Sequence, residues 1–277
     1  MYNLKEFDIT LSDPTYRSIE NPPAFAPCSD WLALDFDGVI VDSIEECLVV
    51  GYNAAQDYSG RPTRILRLRD ISPAQVAYLR ALRNFVRTGE DYVYCSLALF
   101  ENQPLSHQNA FDTYVENHAA SRAHLRDLFY RHRQQLLVEQ PAHWIQLNPL
   151  FPPILKWLQE SSKVRVSIVT TKKAAYVARI LTAHKIDFPP FQIYSTEKGR
   201  HKSEILAQLQ KNFGQNSGHW HFVDDQVDTL LKIHLPRVWC YLAGWGYVND
   251  EQVALARRSG ITILTLPDFV SRFRFNH

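Results

Sequence analysis

The sequence predicts an open, doubly wound α/β sheet of mostly parallel strands, interrupted by one all-helical insertion. Three observations predict it. From residue 151 onward, short apolar runs alternate with segments of helical periodicity, the pattern of parallel strands joined by crossover helices. The first such run, beginning at Trp31, is apolar on both sides, Leu32 with Leu34 and Ala33 with Phe36 near its end, as a central strand covered on both faces requires. Between it and the next strand, residues 44–150 keep a helical pattern and nothing alternates like a strand.

Composition narrows the class. A chain of 277 residues, 45% hydrophobic and 21% charged, can bury a core unaided, and its net charge of +1 gives no electrostatic reason to expect a nucleic-acid partner. Cys28, Cys47, Cys95 and Cys240 are too scattered for a disulfide framework or a metal knuckle. They read as free thiols of a reducing, cytoplasmic setting. No signal peptide is expected, and no stretch approaches the roughly 20 apolar residues that span a bilayer. Residues 1–29, with Pro14, Pro22, Pro23 and Pro27, read as a leader that wraps on the surface or is partly disordered.

The elements follow in order. Strand one, beginning at Trp31, is followed by a helix over Ser43–Gln56. Ser72-Pro73-Ala74-Gln75 is a helix start, with serine as N-cap, proline at the first helical position and glutamine three residues on. Val76, Leu79, Leu82, Phe85 and Val86 continue it at helical spacing. Asp91–Asn102, His107–His118 and Arg122–Glu139 complete a helical unit spanning 44–150, which reads as an inserted domain or as a long crossover packed on the main one. The main domain would comprise 30–43 and 151–277. Its later strands are read at Val164–Thr170, Phe191–Tyr194, His219–Val223, Val238–Leu242 and Ile261–Leu266. Helices are read at Ile154–Gln159, Lys172–His184, Ser203–Phe213, Asp228–Ile233 and Asn249–Arg258.

Right-handed crossovers bring all parallel strand tips to one edge, where open α/β sheets bind ligands. Three tips carry polar residues: Asp35 and Asp37 after strand one, Thr170 and Thr171 at the end of strand two, Asp224 and Asp225 at the end of strand four. Converging carboxylates call for a hard divalent ion, and Mg²⁺ suits one or two carboxylates plus a phosphate oxygen. Lys202, just ahead of the fourth strand's preceding helix, would neutralise charge between the carboxylates and a phosphoryl group, to which Thr170 could donate a hydrogen bond. An aspartate so placed can attack phosphorus, and Asp37 has the reach to protonate a leaving oxygen and then activate water.

Asp35-Phe36-Asp37-Gly38-Val39-Ile40-Val41-Asp42-Ser43, the threonine after Ser167-Ile168-Val169, Lys202, and Phe222-Val223-Asp224-Asp225 resemble the four ordered motifs of the haloacid dehalogenase-like hydrolase superfamily. The first motif is similar to that of the phosphoglycolate phosphatase-like branch, whose helical cap follows it directly, and Ala243-Gly244-Trp245-Gly246-Tyr247 looks like the loop after that branch's fifth strand. The resemblance implies a Rossmann-like core and a phosphatase of small phosphorylated metabolites. Within it, Asp35 would be the phosphorylated nucleophile and a Mg²⁺ ligand, and Asp37 the general acid/base, with its carbonyl on the metal. Thr170 and Lys202 would hold the phosphoryl group. Asp225 would be the principal metal carboxylate, with Asp224 a direct ligand or one step behind. Two departures stand out. The aspartate often found four residues after the chief ligand is Thr229 here, with Asp228 four after Asp224, and the proline often following the lysine is Ser203.

Plainer readings accompany several of these residues. Thr171 would cap a helix starting at Lys172, Asp228 would open the next helix, and Gly244 and Gly246 would serve a tight turn before any substrate. His219 and His221 are sheet residues by spacing; Arg61, Arg64, Arg67 and Arg69 are solvated surface, or one or two of them could meet an anionic substrate where the insertion covers the pocket. Arg83 and Arg87, four apart on one helix, could reach an anionic substrate from the insertion. The retained Asp37 disfavours hydrolytic dehalogenation, and the absence of lysine from Ile44 to Gly60 disfavours phosphonate hydrolysis. A phosphomutase, or a binding or regulatory protein on the same fold, are the alternatives.

Overall fold

The computed structural model describes residues 22–61, 63–196, 199–213 and 218–275; most of the leader, and Lys198 in the basic stretch near Lys202, fall outside the described residues. Among the described residues six strands form one sheet: β1 (Trp31–Leu34), β2 (Val166–Thr170), β3 (Ile193–Ser195), β4 (Trp220–Asp224), β5 (Val238–Ala243) and β6 (Thr262–Leu264). Their order is β3-β2-β1-β4-β5-β6 and every pairing is parallel. The chain builds outward from β1 on one side and then restarts beside it with β4. The tips of β1 and β4 therefore flank the switch point. Register sets their depth: Leu34 lies opposite Val223, and the Asp35 N–H donates to the Val223 carbonyl at 2.9 Å, so Asp35 and Asp224 leave the sheet at one level.

Between β1 and β2 run α1 (Ile44–Tyr58), α2 (Pro73–Leu82), α3 (Asp91–Phe100), α4 (Gln108–Asn117), α5 (Arg122–Glu139) and α6 (Pro141–Gln146). They bury a hydrophobic cluster of their own, with Leu48, Leu79, Tyr94, Phe111 and Phe129 among its members. The start of α2 is capped as its sequence predicts: the Gln75 N–H donates to Ser72 Oγ and the Ser72 N–H to Gln75 Oε1. Helices α1 and α3 meet at Gly51, where a Cβ would stand 2.5 Å from the Tyr92 carbonyl oxygen. The chain enters and leaves the insertion side by side, with the Asp42 N–H on the Pro149 carbonyl and the Phe151 N–H on the Ile40 carbonyl.

Helices α7 (Pro152–Glu160), α8 (Ala174–Ala183), α9 (Lys202–Phe213), α10 (Val227–Leu231), α11 (Asp250–Arg258) and α12 (Leu266–Arg272) are the other α-helices among the described residues. Trp157, Val177, Ile180 and Phe269 cover one face of the sheet, and Ile205, Leu206, Leu230 and Ala256 the other. The sheet is doubly wound, as its sequence predicts. No helix among the described residues is long and apolar enough to cross a membrane.

Several local readings are corrected. Phe36 packs with Leu32 and Leu34 rather than with Ala33, because β1 ends at Leu34 and the chain turns before Phe36. Val164 and Phe191 precede their strands and are 72% and 75% exposed; Phe191 sits in a 3₁₀ turn, Pro190–Gln192. The last strand stops at Leu264 because Thr265 caps α12 and closes a capping box with Asp268. The short α6 and α12 are elements that the sequence reading did not separate out.

Candidate active site at the switch point

Three carboxylates converge here. One oxygen from each of Asp35, Asp224 and Asp225 lies within 4.8 Å of the other two, and all three residues are buried. Such a cluster must be compensated. Lys202, at the start of α9, sets its Nζ 2.9 Å from Asp35 Oδ1 and 2.8 Å from Asp224 Oδ2. Arg83, arriving from the insertion, brings a guanidinium nitrogen to 3.8 Å from Asp225 Oδ2. The backbone contributes as well. The Gln226 N–H donates to Asp224 Oδ1 at 2.8 Å and the Tyr247 N–H to Asp225 Oδ2 at 3.1 Å.

Compensation is incomplete, and the charges register it. Burial, with Asp224 alongside, pushes the Asp35 carboxyl up to about 7 against the pull of Lys202. Burial likewise lifts Asp225 to about 6, although Arg83 opposes it. Lys202, which burial alone would lower, is held above its ordinary value by Asp224 and Asp35. Buried Asp225 Oδ1 has no hydrogen-bond partner among the described residues. An all-oxygen set with an unpartnered, buried carboxylate oxygen fits a hard divalent cation such as Mg²⁺.

Two glycines give Asp225 its position. Gly38 holds φ +83°, and a Cβ there would lie 2.2 Å from Asp225 Oδ2. A Cβ on Gly246 would lie 2.4 Å from Asp225 Cβ. The turn after β5 thus packs against an acidic side chain, and its Tyr247 hydroxyl donates to Asp42 Oδ1 while accepting the Ile44 N–H.

Asp37 stands beside this trio and is paired separately, its Oδ1 2.7 Å from Lys172 Nζ. Burial would raise its carboxyl, but Lys172 outweighs that and holds it below the usual range. Thr170 is buried and accepts the Lys172 N–H on its Oγ1 at 3.1 Å, which shapes the loop carrying Lys172. Thr171 caps nothing, because α8 begins at Ala174, behind Lys173. Asp228 turns away from the trio to Arg87, whose Nε donates to its Oδ2 at 2.8 Å. Arg83 and Arg87 do not share a helix: α2 ends at Leu82, and Arg83 opens a 3₁₀ turn. Sequence reasoning missed Lys172 and Tyr247. The signal for Lys172 was its place directly after the two threonines of a strand tip. A cavity of about 630 Å³ opens above, floored by Asp35, Asp37, Lys172 and Lys202 and roofed by residues of the insertion such as Arg83 and Tyr130.

The architecture recurs among solved structures. A haloacid dehalogenase-like family hydrolase from Streptococcus pneumoniae superposes with a TM-score of 0.56 at 13% identity, covering 89% of this chain and 98% of that one. The fold is that of the haloacid dehalogenase-like hydrolases. A structure described as a predicted phosphoglycolate phosphatase from Haemophilus somnus gives 0.53 at 17% identity over 87% of this chain and 96% of its own. One described as a predicted phosphatase from Clostridium acetobutylicum gives 0.51 at 12% over 88% and 97%. No family model and no curated sequence matches the chain. On this haloacid dehalogenase-like fold, Asp35, Asp37, Thr170, Lys202, Asp224 and Asp225 all come to one edge of the sheet.

Proposed function

We propose that this chain is a Mg²⁺-dependent phosphomonoester hydrolase acting on a small phosphorylated metabolite, with residues 44–150 as a cap over a core of 30–43 and 151–277. The observation that carries the reading is the trio Asp35, Asp224 and Asp225, with an oxygen of each within 4.8 Å of the others and Lys202 between two of them. Phosphatases and phosphoglycolate phosphatases are among the described functions of its structural neighbours, which supports the same class.

Asp35, Asp225 and Asp224, with the Asp37 carbonyl, would hold the cation. Bound Mg²⁺ would neutralise developing charge on the phosphoryl oxygens. Lys202 and the Thr170 hydroxyl orient the phosphoryl group in line with Asp35. An Asp35 oxygen attacks phosphorus, the bond to the leaving oxygen breaks, and Asp37 passes that oxygen a proton taken from the phosphomonoester monoanion. Asp37, ionised again beside Lys172, then removes a proton from water, which attacks the phosphoaspartate and releases inorganic phosphate. The cap excludes bulk water from the acyl phosphate and selects the substrate. The unbridged thiols Cys28, Cys47 and Cys95 support a reducing, cytoplasmic setting.

The test is phosphate release from an aryl phosphate, with and without Mg²⁺, followed by a panel of phosphoglycolate, sugar phosphates and nucleotides. Turnover should need the metal and vanish in Asp35→Asn. Turnover that survives in Asp35→Asn, or that ignores chelation, overturns the reading.

A further inference from the structure

We infer that Arg83 is a built-in competitor of the divalent cation at Asp225, and that through it metal loading is coupled to the seating of the helical insertion. This rests on the reading of Asp35, Asp224 and Asp225 as the metal site.

Arg83 is 4% exposed, and a buried guanidinium is expected to be fully hydrogen-bonded. It is not. Its Nε has no partner among the described residues, and its ion pair there is the 3.8 Å approach to Asp225 Oδ2. The plane rests 4.0 Å from the centre of the Tyr247 ring and 5.6 Å from that of Tyr92, contacts that stack a guanidinium without using its donors. Arg83 thus supplies charge to the acidic trio with little directional bonding. Three carboxylates against Lys202 and Arg83 retain one negative charge, so a dication entering the trio would overcompensate them. Lys202 cannot yield, because it touches two of the carboxylates directly. Arg83 holds one, at longer range, and from a different part of the chain. It is the cation that must give way.

Its release would be felt by the insertion. Arg83 opens the 3₁₀ turn after α2, and the Tyr247 ring beneath it carries the hydroxyl that bonds Asp42 and Ile44, where the chain enters the insertion. One stack therefore joins the acidic trio, the β5 turn and the entry linker. An insertion seated through Arg83 disfavours the cation, and by reciprocity the bound cation disfavours that seating.

Calorimetric titration of Mg²⁺ and of Mn²⁺ at pH 8 tests this. Arg83→Gln should bind either ion about tenfold more tightly than wild type, the order expected for removing one positive charge beside a dication in a partly screened site. Arg83→Lys, which keeps the charge, should stay close to wild type. Equal or weaker binding by Arg83→Gln, with wild type binding normally, overturns the inference alone. No binding by either, or binding unchanged by Asp225→Asn, overturns the metal-site reading with it. If Arg83→Gln does not fold, hydrogen exchange on wild type decides: amides of residues 82–87 should exchange faster when Mg²⁺ is added, and an unchanged or slower rate counts against release.

Discussion

Lys172 and Asp37 form an ion pair with Nζ 2.7 Å from Oδ1, next to the acidic trio but not part of it. The lysine side chain is 1% exposed and the aspartate 23%, so the cation is locked while the carboxylate keeps one side toward the cavity. That asymmetry suits a group that exchanges protons with ligands. It also makes Lys172 a positioning residue, held in turn through its N–H by Thr170.

Lys172→Met should therefore lower turnover of an aryl phosphate by about a hundredfold, the scale of a general acid/base contribution. Because Asp37 can turn partly to water, stability should fall by only about 1–2 kcal/mol. Phosphate release and a urea midpoint measure the two effects separately. A large stability loss with unchanged turnover would assign Lys172 to the scaffold alone.

Gly246→Ala should displace Asp225. The added methyl would stand 2.4 Å from Asp225 Cβ and 2.8 Å from the Gly38 carbonyl oxygen, and neither is the free end of a flexible chain. We expect a loss of about 1–3 kcal/mol and weaker Mg²⁺ binding, read by thermal melting and titration. Gly244→Ala is the control. Its nearest neighbours are 3.0 and 3.1 Å away, so a smaller effect is expected there.

These residues show where the sequence was readable. Asp35 and Asp224-Asp225 stood out because a buried strand cannot carry charge except at its tip, and that rule is local. Arg83 reaches Asp225 across 142 positions of chain, through docking of the insertion that no local pattern encodes. Gly246 is similar: its neighbourhood suggested a turn, and only the fold shows that the turn abuts a carboxylate. α12 was hidden for another reason. The apolar run Ile261–Leu266 crosses the strand end smoothly, and the deciding signal was the Thr265 to Asp268 capping box rather than hydrophobicity.

The insertion carries its own buried charge. Glu46 is 0% exposed and receives two 2.8 Å hydrogen bonds from Arg133, with Trp144 Nε1 adding a third. Arg133→Met leaves that carboxylate without its cation and should cost about 3–5 kcal/mol. Adding Glu46→Gln should recover much of the loss, since the residual penalty is then that of a neutral polar group. Urea unfolding of the two singles and the double forms the cycle. A double variant no more stable than Arg133→Met would show that packing, not charge, dominates.

His221 gives a pH signature away from the site. Its Nδ1 lies 2.7 Å from the Tyr241 hydroxyl and its Nε2 3.3 Å from Asp30 Oδ2, while Phe25 and Phe273 stand edge-on to the ring at 5.3 and 5.6 Å. Burial pushes the imidazole down to about 4, against the attraction of Asp30. At neutral pH it is therefore uncharged, accepting from the Tyr241 hydroxyl and donating through Nε2. The unfolded chain, whose histidine titrates near about 6.5, binds the extra proton first as pH falls. Folding is thus destabilised between about pH 6.5 and 4, by up to about 3 kcal/mol at the lower end. Asp35 and Asp225, raised by burial, titrate in the opposite sense and mask this in wild type alone. They cancel when wild type is compared with His221→Gln, which cannot take up the proton. Urea midpoints from pH 7 to 5 should show wild type losing stability relative to the variant; two parallel profiles would mean that His221 takes up its proton equally in the folded and unfolded chain, and a relative gain that it is already protonated when folded.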